Sequence, residues 1–130
     1  MYLLDTNSVI YFFKGMGEVA NNLFLHYPKE IFIPSIAVYE LEVEIAKSNS
    51  PIKRKEQLNL LLEQIEIIDF DKKEAKEAAG IRANLEKLGT PIGPMDTLIA
   101  GCAKANNLTL VTRNTKEFAR VDGLRVENWF

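Results

Sequence analysis

Apolar residues fall along this chain in two kinds of run. Short runs at Tyr2-Leu3-Leu4, Ile31-Phe32-Ile33, Ile65-Glu66-Ile67-Ile68 and Leu108 to Thr112 stop at an acid, a proline or a polar turn. They read as buried strands. Between them, apolar positions recur every three or four residues. Met16, Val19, Ala20, Leu23, Phe24 and Tyr27 predict a helix over 16–27, ended by Pro28. Met95, Leu98, Ile99, Cys102 and Ala103 predict another over 95–106. Further helices are predicted over 6–13, 36–48, 52–64, 72–88 and 116–119, with a last edge strand at 124–126. Ala75, Ala78, Ala79, Arg82, Leu85 and Leu88 are expected on the inner side of the helix at 72–88, which Gly89 ends.

Strands separated by helices require right-handed crossovers. The expected fold is therefore α/β: a single domain over 1–130, with a mostly parallel sheet of four to five strands flanked by helices. At 130 residues the chain suits one core, and 47% hydrophobic with 26% charged residues is ordinary for a globular domain. No run reaches the roughly 20 apolar residues that span a bilayer, and the first residues carry no leader-like pattern. The expectation is a cytoplasmic protein with no membrane partner.

Charge and rare residues narrow the chemistry. Sixteen basic against eighteen acidic residues leave a net charge of −2, so no general basic field draws in nucleic acid. There is one cysteine, Cys102, and one histidine, His26. A disulfide within the chain is impossible. A Cys/His zinc site is nearly so. His26 lies in the apolar stretch Leu23-Phe24-Leu25-His26-Tyr27-Pro28, which reads as a structural position. Hydrolytic chemistry would then come from carboxylates.

Four positions stand where a parallel sheet gathers ligands, at strand ends and helix starts. Asp5 follows the first strand, Glu40 lies in the helix after the second, Asp96 in a helix first turn after Gly93-Pro94, and Asn114 after the fourth strand. Converging carboxylates bind a hard divalent cation. Each residue also has a plainer role: Asp5 as a helix cap, Asp96 at a helix dipole, Glu40 as one of three solvated glutamates, Asn114 as a turn residue.

The wording around these residues is more specific than their spacing. Leu3-Leu4-Asp5-Thr6-Asn7-Ser8-Val9-Ile10 resembles the opening motif of PIN-domain ribonucleases. Ile33-Pro34-Ser35-Ile36-Ala37-Val38-Tyr39-Glu40-Leu41 resembles the second acidic motif, and Ile92-Gly93-Pro94-Met95-Asp96-Thr97-Leu98-Ile99-Ala100 the third. Leu110 to Val121, with Arg113-Asn114-Thr115-Lys116-Glu117-Phe118 inside it, resembles the fourth. The chain looks most like the VapC-type toxins of bacterial toxin–antitoxin pairs.

That resemblance implies an endoribonuclease dependent on Mg²⁺ or Mn²⁺, with Asp5 and Asp96 as direct metal ligands. Glu40 would complete the acidic pocket, and Asn114 would stand at the fourth position, where some relatives have Asp. Thr6 and Thr112 would hydrogen-bond metal-bound water or substrate phosphate. Basic residues must flank an acidic pocket that RNA enters, and Arg113 and Lys116 adjoin it. The implied partners are RNA, a cognate VapB-type antitoxin packed on apolar helices at 6–13, 16–27 and 52–64, and a second copy in a homodimer. Tyr11-Phe12-Phe13 reads as core, with a dimer or partner surface as the alternative. Asp5, Thr6 or Asn7 is expected to cap the first helix, and a Thr6 or Asn7 cap would leave the Asp5 carboxylate free to face the cation. Two other functions compete: a non-catalytic binding module, favoured only by Asn114 in place of an acid, and an aspartyl-phosphate phosphotransferase using Asp5, disfavoured by Asn7 where a second Asp is needed.

Overall fold

The computed structural model describes residues 1–130. Five strands form one sheet: β1 Tyr2–Leu4, β2 Ile31–Pro34, β3 Glu66–Ile68, β4 Thr109–Val111 and β5 Val126–Glu127. Their spatial order is β3-β2-β1-β4-β5, and every neighbouring pair is parallel. The first three strands run outward on one side of β1, and the last two on the other. A sheet that reverses its winding beside β1 leaves a crevice at the carboxyl ends of β1 and β4, the usual place for a ligand in such folds.

Helices cover both faces, as a parallel sheet requires. They are α1 Thr6–Lys14, α2 Val19–Leu23, α3 Ser35–Lys47, α4 Pro51–Gln64, α5 Lys72–Lys87, α6 Pro94–Ala105 and α7 Thr115–Phe118. Successive side chains in a strand point to opposite faces, so Leu3 and Leu4 serve two different cores. Leu4 joins Ile31, Ile33, Ala37, Leu58 and Trp129 under α1 to α4. Leu3 joins Leu85, Ile99, Leu110 and Phe118 under α5 to α7.

Two helices differ from their sequence-based expectations. The segment 16–27 yields only α2, Val19–Leu23, followed by turns and a 3₁₀ turn at Pro28–Glu30. Gly15 and Gly17 both adopt positive φ and break the helix before it starts. Phe24 and Tyr27 stay exposed, so their helical spacing marks a surface. In α5 the inner residues are Glu74, Ala78, Ile81 and Leu85, whereas Ala75, Ala79, Arg82 and Leu88 face solvent. Glu74 turns inward because its carboxylate accepts from the Asp71 N–H at 3.0 Å and from Asn106 Nδ2 at 2.9 Å. That satisfied acid shifts the buried stripe by a residue from the purely apolar reading.

Candidate active site

Asp5 leaves β1 and serves as the N-cap of α1, accepting from the Ser8 N–H through Oδ1 at 2.8 Å. Of the three candidate caps, Asp5 is the one that caps, rather than Thr6 or Asn7. One carboxylate caps the helix and also lines the cleft. Its own N–H donates to the Val111 carbonyl at 3.1 Å, and the Ser8 hydroxyl donates to the same oxygen at 3.1 Å. These bonds lock the start of α1 to the end of β4. Asp5 is buried, and desolvation pushes its carboxyl above the ordinary value. The Thr112 and Ser8 hydroxyls and the Ser8 N–H pull against that rise.

Thr6, freed from capping, donates through Oγ1 to Glu40 Oε1 at 2.6 Å. That bond joins the first turn of α1 to α3 and aims the Glu40 side chain. Glu40 is half-buried and unpaired with any cation, unlike Glu42, which pairs with Lys55. Asp96 enters from the first turn of α6, where Pro94 begins the helix. Its carboxyl is pushed up to about 6, first by burial and then by the charges of Asp5, Glu117 and Glu40. Asp5, Thr6, Glu40, Asp96, Tyr39 and Met95 line a cleft of about 340 Å³. The crevice at the sheet's carboxyl edge is thus an acidic one.

Glu44 on α3 also lines the cleft, and the charge of Glu117 on α7, which the motifs did not single out, reaches Asp96. Asn114 is exposed, and its Nδ2 donates to Glu117 Oε2 at 2.9 Å. It fastens the acid whose charge reaches Asp96 and supplies no charge of its own. An Asn followed three residues later by Glu reads in sequence as an ordinary capping box. Here the Asn114 side chain makes no cap and bonds to the Glu instead. Thr112 is completely buried, with its Oγ1 accepting from the Asn114 N–H at 3.0 Å, so it supports the site from beneath and cannot reach a phosphate. Thr6 likewise spends its hydroxyl on Glu40. Arg113 and Lys116 are exposed and form no ion pair.

The carboxylates of Asp5, Glu40, Glu44 and Asp96 line the cleft and offer hard oxygen donors, the set that suits Mg²⁺ or Mn²⁺. No three His, Cys, Asp or Glu side chains close into a cage. His26 is elsewhere, stacked on Trp129 at 5.1 Å with the planes 7° apart. Cys102 is buried, and desolvation with the nearby Glu74 charge pushes its thiol up to about 12. Neither residue offers a nucleophile or a base to this cleft.

A second, apolar cavity of about 500 Å³ lies away from the acids, lined by Phe12, Phe13, Phe24, His26, Leu60 and Leu61 among others. Phe24 is 74% and Leu60 63% exposed beside it. The half-buried Phe12 and Phe13 are therefore groove walls as well as core packing.

Fold and site together define a parallel α/β domain with a carboxylate cleft at its topological switch point. The PIN domain model matches residues 2–124, and the chain belongs to that family. It is 40% identical over 131 residues to ribonuclease VapC2 of Rickettsia felis, covering 99% of this chain and 98% of that protein. It is 35% identical over 128 residues to the tRNA(fMet)-specific endonuclease VapC of Salmonella typhimurium, covering 98% and 97% respectively. The crystal structure of VapBC2 from Rickettsia felis bound to a DNA fragment from their promoter superposes with a TM-score of 0.90 at 39% identity, covering 99% of this chain and 98% of that one. The five-stranded parallel sheet agrees with the fold expected from the sequence, at the upper strand number.

Proposed function

We propose that this chain is an endoribonuclease toxin of a toxin–antitoxin pair, dependent on Mg²⁺ or Mn²⁺ and neutralised by a cognate antitoxin. The observation that carries the reading is the convergence of Asp5, Glu40 and Asp96, from three separate elements, on one cleft of a PIN fold, with the Glu117 charge reaching Asp96. Asp5 and Asp96 would hold the cation directly, with Glu40 and Glu117 completing the pocket directly or through water. When bound, the cation supplies an activated water and offsets charge on the phosphodiester oxygens.

The chain's own residues do the rest. Thr6 and Asn114 orient Glu40 and Glu117, so the outer acids are aimed before a ligand arrives. Mutual repulsion, read in the raised Asp96 carboxyl, makes the cluster favour a cation. With His26 stacked on Trp129, the carboxylates must accept the proton from the attacking water. A nearby acid, Glu117, whose charge reaches Asp96, speaks for the catalytic reading over a non-catalytic module despite Asn114. The apolar groove of α1, α2 and α4 would take the antitoxin's apolar segment, and the functional unit is taken to be a homodimer, to be checked by sedimentation. The PIN relatives named VapC and the VapBC complex support this reading.

The test is cleavage of total cellular RNA by the purified chain with Mn²⁺. Asp96→Asn should lose on the order of 10²-fold or more in rate. Unimpaired cleavage by a folded Asp96→Asn protein would overturn the assignment.

A further inference from the structure

We infer that Tyr11 and Phe130 form an aromatic seat that presents Arg113 as a phosphate-binding side chain beside the carboxylate cleft; the inference rests on the ribonuclease reading above. Arg113 stands between Thr112, buried beside Asp5, and Asn114, bonded to Glu117. Its backbone is therefore anchored to the acidic cluster on both sides. Its side chain pairs with none of those acids. The guanidinium carbon lies 3.6 Å from the Phe130 ring centroid and 5.7 Å from that of Tyr11. The two rings meet edge to face at 4.9 Å, so they form a corner with the cation in it.

The seat is built into the fold. The Phe130 carbonyl accepts from the Glu18 N–H at 2.5 Å. A Cβ at Gly17 would come within 2.5 Å of that oxygen and 2.8 Å of the Phe130 ring, so glycine is required there for space as well as for its φ of 61°. The preceding Trp129 is buried, and its carbonyl accepts from Asn22 Nδ2 at 3.1 Å. Tyr11 rides on α1, whose cap is Asp5. Tyr11 is thus tied to an element that carries the site, and Phe130 to the segment at the start of α2.

The chemistry follows from what the guanidinium leaves open. Stacking occupies its face and spends none of its N–H edge, and no protein acceptor meets that edge. A planar edge of N–H donors matches a phosphate bidentately. A chain of net charge −2 with an acidic cleft repels RNA, so a cation beside the cleft must supply the attraction. An arginine already held by two rings loses less rotamer freedom when phosphate binds. Arg113 would touch substrate; Tyr11 and Phe130 are positioning residues.

The experiment uses the full chain and a labelled single-stranded oligoribonucleotide of mixed sequence. Affinity is measured in the Asp96→Asn background across salt concentrations, and KM and kcat in the active protein. Arg113→Ala should weaken binding about tenfold and lower the slope of log affinity against log salt by about 0.7. Phe130→Leu keeps an apolar side chain, so thermal unfolding should hold. Its affinity should fall about two- to fivefold with the salt slope intact, raising KM but not kcat. Phe130→Trp should restore affinity. In the Arg113→Ala background, Phe130→Leu should cost nothing more. Additive losses, or wild-type affinity in both single variants of a protein that still cuts RNA, would overturn the seat alone. A wild-type chain that neither binds nor cuts RNA with Mn²⁺ would overturn the ribonuclease reading and the seat with it.

Discussion

Asp5 performs two tasks with one carboxylate, and substitutions can separate them. Asparagine caps a helix about as well as aspartate, whereas alanine gives up about 1–2 kcal/mol. Asp5→Asn should therefore keep the unfolding midpoint of the parent and lose RNA cleavage. Asp5→Ala should lose both, as denaturant titration beside a cleavage assay would reveal. Asp96 predicts a pH effect. Its folded carboxyl titrates near 6 against 3.8 when unperturbed, so the folded state binds the proton more tightly than the unfolded chain. Without divalent cation, stability should rise as pH falls from 7 through 6 toward 4. The full shift corresponds to about 3 kcal/mol at 1.36 kcal/mol per unit. Solvent screening of a half-buried group reduces that to on the order of 1–2 kcal/mol. Urea unfolding in chelator at pH 7 and pH 5 checks the sign. Glu117→Gln should move the midpoint of the effect to lower pH by removing one repelling charge. A stability that falls over this window would contradict the proposed cluster.

At the scale of elements, most helices begin and end within a residue or two of their predicted bounds, because proline, glycine and capping residues mark them locally. The stretch 16–27 is the instructive exception. Its helical spacing is real, yet Gly17 is needed with positive φ to admit the Phe130 carbonyl. A long-range contact overrode a local period. The α5–α6 contact is another feature hidden in sequence. A Cβ at Gly101 would stand 2.6 Å from that of Ala78, so the two helices meet backbone to backbone. Gly101→Ala should overpack this contact and cost about 1–3 kcal/mol, measured by chemical denaturation. Its effect on cleavage should follow stability alone.

The whole molecule has two faces of different chemistry: an acidic crevice at the sheet's carboxyl edge and an apolar groove on the α1–α2–α4 side. No helix is long and apolar enough to cross a membrane, so the exposed Phe24 and Leu60 are not part of such a span. Under the proposed function the groove holds the antitoxin. Phe24→Asp should then weaken antitoxin binding about tenfold or more, as for a truncated interface anchor, and leave RNA cleavage by the free toxin intact. Calorimetric titration with the antitoxin, beside a cleavage assay, separates the two effects.

By itself the sequence determined the alternation of strands and helices, the parallel α/β class and three acids of the cleft, Asp5, Glu40 and Asp96. Those features are written in local periodicity, in turn residues and in short motifs around each acid. Only the tertiary structure decided which further acids stand near the three, which residue caps α1, and where Arg113 points. Asn114 and Glu117 look like a routine helix start until the fold brings the Glu117 charge within reach of Asp96. Asn114 then serves as the fastener of Glu117. Thr6 looked like a cap until α3 brought Glu40 within 2.6 Å of its hydroxyl. The physical reason is common to all of them. A polar side chain takes the partner that packing delivers, and these partners lie on different elements or come into play only when elements meet.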